Sequence, residues 1–140
     1  MRQIDPLSAY QRGLSSRSSL DEAELFVFAV MHLENLMDMQ GWEHFFCSPQ
    51  SAALYPNLKT GLAEADDRAS LAVLEDFERY LWANRVPLVP ASIDRHFTAL
   101  DDATLSALPD WRARFAGVAE QRWEAISAHL KSIGIALTNR

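Results

Sequence analysis

The stretch DEAELFVFAVMHLENLMD, residues 21–38, constrains the fold more than any other part of the chain. Asp21 and Glu22 at its start suit the positive end of a helix dipole. Turned at about 100° per residue, Leu25, Phe26, Ala29, Val30, Leu33, Leu36 and Met37 share one face. Val27, Phe28 and Met31 spill onto the other side. A helix apolar nearly all round has to be covered on two sides, so this segment is predicted to be a central core helix. It is not a membrane span. Its longest apolar run is LFVFAVM at 25–31, and crossing a bilayer takes about 20 such residues.

The rest of the chain supplies the cover. SAALYPNLKTGLAEA at 51–65 reads as a helix interrupted or begun at Pro56. At 66–84 a stronger pattern places Asp66 as N-cap and Val73, Leu74, Phe77, Tyr80 and Leu81 in one stripe, with Glu75 and Arg79 one turn apart as an ion pair. Leu71 and Trp82 fall off that stripe and need a second neighbour or a partner. VPLVP at 86–90 imposes an extended connection. Short helices are predicted near 92–99 and 102–107, then a long one from Pro109 to about Ser132. In that last helix Ala119, Trp123, Ile126, Leu130 and Ile133 form a seam, Gly117 marks close packing or a kink, and Gly134 is a stop. Residues 1–19, with Gly13 and five serines, read as a mobile arm or a loosely docked helix. No segment alternates with period two for long enough to be a strand. The expectation is an all-α protein: a polar arm at 1–20, then one compact domain at 21–140 of about five to seven helices. At 140 residues and 49% hydrophobic content the chain can bury a single core.

Between the central helix and the next lies MDMQGWEHFFCSPQ, residues 37–50, which crowds Gly41, Trp42, His44, Phe45, Phe46 and the single cysteine, Cys47. Read as architecture, Gly41 ends the central helix in the left-handed conformation, and Trp42, Phe45 and Phe46 plug the core from one face of a short turn. Ser48 and Pro49 stop that turn, with Ser48 or Ser51 as the next cap. Read as a site, His44 and Cys47 would be metal ligands or a base and nucleophile. Two ligands are too few for a closed zinc site, so His32 and Glu34 would have to complete it. A Cys–His pair would also need an orienting third group. The architectural reading is the stronger.

The same stretch carries a family resemblance. DMQGWEHFFCS resembles the pattern of the DNA-mimic protein family of bacterial acidic proteins, the DMP19-like domain: an acid, Asn-Gly-Gly-Phe, a Gln, two aromatics and an Asn. Gly41 takes the place of the second glycine, Trp42 that of the Phe, and His44 that of the Gln. Phe45 and Phe46 take the aromatic pair, and Ser48 the Asn. The chain departs from the pattern at Gln40, His44 and Ser48. The likeness extends over roughly residues 22–132, through a Pro-containing helix and the helix after it. It implies a structural corner, not a catalytic centre. It also implies a non-enzymatic acidic protein, in one studied kind a dimer, whose carboxylates imitate DNA phosphates and occupy a DNA-binding protein.

Charge bears on that implication. The net −6 is uneven: residues 21–84 hold twelve acids against Lys59, Arg68 and Arg79, while the flanking segments are slightly basic. An acidic middle disfavours direct binding to nucleic acid and suits a basic protein partner, such as a DNA-binding transcription factor. The candidate face lies on the 66–84 helix: Asp66, Asp67, Glu75, Asp76 and Glu78 around the off-stripe Leu71 and Trp82. The alternatives are an immunity or antitoxin protein neutralising a basic toxin, or a small metal-dependent enzyme built on His32, His44 and Cys47. No cofactor is expected. A cytoplasmic protein, free or as a homodimer, completes the sequence-based picture.

Overall fold

The computed structural model describes residues 1–138. Helix α2, Glu22–Met39, is the central helix. Asp21 caps it in a reciprocal box: its carboxylate accepts from the Glu24 amide at 3.0 Å, and the Glu24 carboxylate accepts from the Asp21 amide at 3.2 Å. Phe26, Val27, Phe28, Ala29, Val30, Leu33 and Met37 are buried, which puts apolar cover on both sides as its composition demanded. Around it stand α1 (Pro6–Ser15), α3 (His44–Cys47), α4 (Pro49–Ala52), α5 (Tyr55–Glu64) and α6 (Arg68–Ala83). The second half adds α7 (Pro90–Thr98), α8 (Asp102–Ser106), α9 (Trp111–Gly117) and α10 (Ala119–Ser132). The fold is an all-α single domain.

Of the mobile arm and the docked helix expected over residues 1–19, the structure shows a docked helix. Asp5 caps α1 by accepting from the Leu7 amide at 3.1 Å, and Ala9 and Gly13 are buried against α2. The approach is close: a Cβ at Gly13 would fall 2.3 Å from Cδ2 of Phe28. Only glycine lets the two helices meet there. Ahead of α1, β1 (Arg2–Ile4) pairs in parallel with β2 (Ile135–Leu137), so the first and last elements are stitched together. Neither three-residue strand is long enough to show a period-two pattern. Arg2 adds ion pairs to Asp21 and Glu24, and Arg12 a second contact to Glu24. The charges of the N-terminal segment thus bind it to the start of α2.

Gly41 does adopt positive φ, at +104°, and turns the chain out of α2. The following aromatics are buried, with the Trp42 ring 5.7 Å from Phe46, 5.8 Å from Phe77 on α6 and 5.4 Å from Phe115 on α9. Phe46 also meets Phe77 at 4.6 Å. The stretch is a corner that joins three elements. Ser48 takes the N-cap position of α4 without a side-chain capping bond, and Ser51 shares a hydrogen bond of 2.9 Å with His32 of α2.

Two helix boundaries differ from the sequence reading. Asp67, not Asp66, caps α6, because Asp66 takes the left-handed conformation at φ +55° and turns the chain into the cap. The long helix expected from Pro109 breaks into α9, capped by Asp110, and α10, with Gly117 and Val118 at the joint. A Cβ at Gly117 would meet nothing within 4 Å, so that glycine marks the break and no close approach. Within α10, Trp123, Ile126 and Leu130 are buried, but Ile133 is exposed and leaves the seam.

Candidate protein-binding surface

Helix α6 divides its residues sharply. Val73, Leu74, Phe77 and Leu81 face the core, with Tyr80 half-buried beside them. Trp82 is 86% exposed, whereas Trp42, Trp111 and Trp123 are all buried. Beyond it the chain reverses through Arg85, at φ +58°, into Pro87, Leu88 and Val89, all of them exposed. Trp82, Ala83, Arg85, Val86 and Pro87 line a shallow cavity of about 550 Å³. The Trp82 indole and Pro87 of the turn therefore share one uncovered hollow, while Leu88 lines a separate one with Tyr55, Pro56 and Ile93. The turn's part in the Trp82 patch was missed in the sequence reading, although the composition of VPLVP was a usable signal.

The acids expected around this patch do different work. Asp67 is only 4% exposed and serves as the cap of α6, accepting from the Ser70 amide at 3.2 Å. It cannot be a rim charge. Asp76 accepts from Trp111 Nε1 at 3.1 Å, Arg114 at 2.8 Å and Arg79 at 3.3 Å, and so ties α9 to α6. Desolvation pushes its carboxyl up, but these donors together with the Arg114 charge outweigh that and hold it below the usual carboxylate range. Arg79 is thereby taken by Asp76, and the expected Glu75–Arg79 pair does not form. Glu78 accepts from the Tyr55 hydroxyl and pairs with Lys59 at 2.8 Å, which fastens α5. Burial, reinforced by that carboxylate, keeps the Tyr55 phenol protonated far above its ordinary range. Leu71 is half-buried against the core. Only Glu75 and Asp66 remain outward, and Asp66 pairs with Arg68 at 3.0 Å.

The second candidate region separates its members. His44 and Cys47 line a cleft of about 420 Å³ with Glu43, Ser48 and Asp94 among its walls. Burial, then the charges of Asp94 and Glu43, push the Cys47 thiol up to about 11, which is the wrong direction for a nucleophile. His32 lies elsewhere, hydrogen-bonded to Ser51 and stacked on Phe28 with ring centroids 5.4 Å apart. Glu34 is occupied as well. It accepts from Arg122 at 2.7 and 2.9 Å and from Trp123 Nε1 at 2.9 Å. Arg122, fully buried, also donates to Ser70 Oγ at 3.1 Å and to the Phe115 carbonyl at 2.9 Å, with its guanidinium 3.8 Å from the Phe115 ring centroid. One guanidinium thus ties α2, α6, α9 and α10. Among the described residues, no three His, Cys, Asp or Glu side chains converge as a metal would require. No helix among them is long and apolar enough to cross a membrane.

The buried corner, the central helix and the α5–α6 pair form one connected piece, and the profile of the DMP19-like protein family matches residues 18–132. This chain belongs to the DMP19-like family. Neither the curated proteins nor the solved structures gave a match. Membership places the chain in a family of DNA-mimic type. The matched range takes in both the corner at residues 41–46 and the exposed Trp82.

Proposed function

We propose that this protein is a non-enzymatic, cytoplasmic binding protein that uses the Trp82 patch to occupy a basic protein, in the manner of a DNA-mimic-type regulator. The observation that carries the reading is the 86% exposure of Trp82 beside an apolar turn. An indole left in water is costly to maintain and supplies the kind of buried anchor on which interfaces depend. The net charge of −6 and the outward Glu75 favour a cationic partner. Because Asp67, Asp76 and Glu78 are engaged within the fold, the apolar anchor supplies most of the affinity and the charges mainly the rate of encounter.

The test begins with capture from host extract at low salt, followed by titration of the purified partner. Trp82→Ala is expected to weaken binding by about 2 kcal/mol or more. Glu75→Lys is expected to slow association while changing dissociation little. If the partner binds DNA, duplex DNA should compete with this protein for it. A captured basic toxin would instead give the immunity reading. A partner bound equally well by the Trp82→Ala variant rejects the proposed surface.

A further inference from the structure

A cleft of about 600 Å³ lies between the start of α2, one face of α5 and the end of α10, away from the residues of the Trp82 patch. Its floor is apolar: the side chains of Phe26 and Leu130 are buried there, and the exposed Ile133 forms one lip. Gly61 of α5 lies directly on Phe26, and a Cβ at that position would fall 2.2 Å from the ring, so α5 and α2 meet closely at the floor. Asn57 and Thr60 offer an amide and a hydroxyl on the α5 wall. Of the charged lining groups, Arg2 is already held by Asp21 and Glu24. Glu22 makes no ion pair among the described residues, and Glu64 has only His129 at 3.6 Å. The opening therefore combines an apolar floor with two carboxylates that lack a Lys or Arg partner.

We infer that this cleft receives a basic side chain, arginine or lysine, from an extended segment of a protein partner. The volume is within the range of pockets that hold small ligands and suits a few residues of peptide. An aliphatic stem would lie on Phe26, Leu130 and Ile133 while its cationic head reaches Glu22 and Glu64, since long basic side chains bury their stems and keep the charge among polar groups. An anion would meet these carboxylates, and the guanidinium in the lining, Arg2, is already engaged. A neutral apolar ligand would use the floor and leave both carboxylates unengaged. The inference deepens the reading of a basic partner, but it rests on a different surface.

The probe is an acetylated, amidated heptapeptide with two arginines flanking a leucine, compared with the same peptide carrying neutral citrulline at both positions. Amide chemical shifts of the protein report where it binds. Perturbations should cluster at Asn57, Thr60, Glu64 and His129, and the citrulline peptide should lose them. The doubly neutral variant Glu22→Gln, Glu64→Gln should weaken the arginine peptide about fivefold, since exposed charge pairs contribute up to about 1 kcal/mol. Equal binding of both peptides, or perturbations at Trp82 and Val86 only, overturns the cleft. Should the double variant fold poorly, the citrulline comparison on the unaltered protein still decides. Failure of the cleft leaves any Trp82-dependent capture standing, and loss of that capture leaves peptide binding in the cleft standing, so the two readings fail separately.

Discussion

Trp42 and Trp82 are the same residue placed forty positions apart in one chain, and they mark its two most different regions. Trp42 is 4% exposed and touches rings from α3, α6 and α9, whereas Trp82 is 86% exposed on the outer face of α6. The region around Trp42 is crowded with unusual residues and resembles a site, yet every aromatic in it is consumed by packing. The region around Trp82 is ordinary in sequence, yet it leaves its largest side chain unused. Conspicuous composition thus marks the place where elements must be joined, and an inconspicuous residue on a helix is what stays available to a partner. The acids teach the same lesson, since Asp66 and Asp67 are adjacent and only Asp67 is buried as a cap.

The comparison breaks most readily at the corner. Trp42→Ala is expected to cost about 3–5 kcal/mol in chemical denaturation, as truncating a buried aromatic leaves a cavity between three elements. A cost below about 1 kcal/mol would mean that the corner is not the joint the structure shows. Gly41→Ala should cost about 1 kcal/mol or more, because alanine is penalised at φ +104°. The counterpart Gly117→Ala should be neutral or slightly stabilising, since nothing crowds that position. Equal losses from both would remove the conformational explanation.

Among the acids, Asp67→Ala should cost about 1 kcal/mol through the lost cap. Asp66→Asn should leave the melting temperature unchanged, since Asn tolerates the left-handed conformation. Reversing the charge of Asp67 would therefore report on folding and not on association, and Glu75 is the proper residue for a charge-reversal experiment.

A gentler effect concerns His32. Burial, then the charge of Arg17, lower its folded pKa below the ordinary 6.5. The unfolded chain therefore binds the proton first. Stability should be fully present above pH 6.5 and fall as pH drops towards the folded value. His32→Gln should flatten that part of a pH–melting profile, and an unchanged slope would assign it to other groups. The smallest effect is expected at the exposed indole: Trp82→Ala should change stability by no more than about 0.5 kcal/mol, as an exposed residue without structural contacts. A large loss would mean that Trp82 packs in solution.

Much of the architecture was legible in the chain because it depends on neighbours within one or two turns. The all-round apolar character of residues 25–37 specified a central helix, Gly41 specified its end, and the stripe of α6 specified its buried face. These are local matters of periodicity, capping and backbone freedom. What the sequence left open was decided between elements distant along the chain. Gly13 and Phe28 made a docked helix of an apparently polar arm, and two strands from opposite ends found each other. Glu34 and Arg122 became a buried tie although each sits in a helix whose local pattern gives no sign of the other. Asp76 and Glu78 were drawn into holding α9 and α5, so they are engaged within the fold although both stay partly exposed. A carboxylate's role depends on which donor arrives across space, and Trp82 stays exposed because no element does.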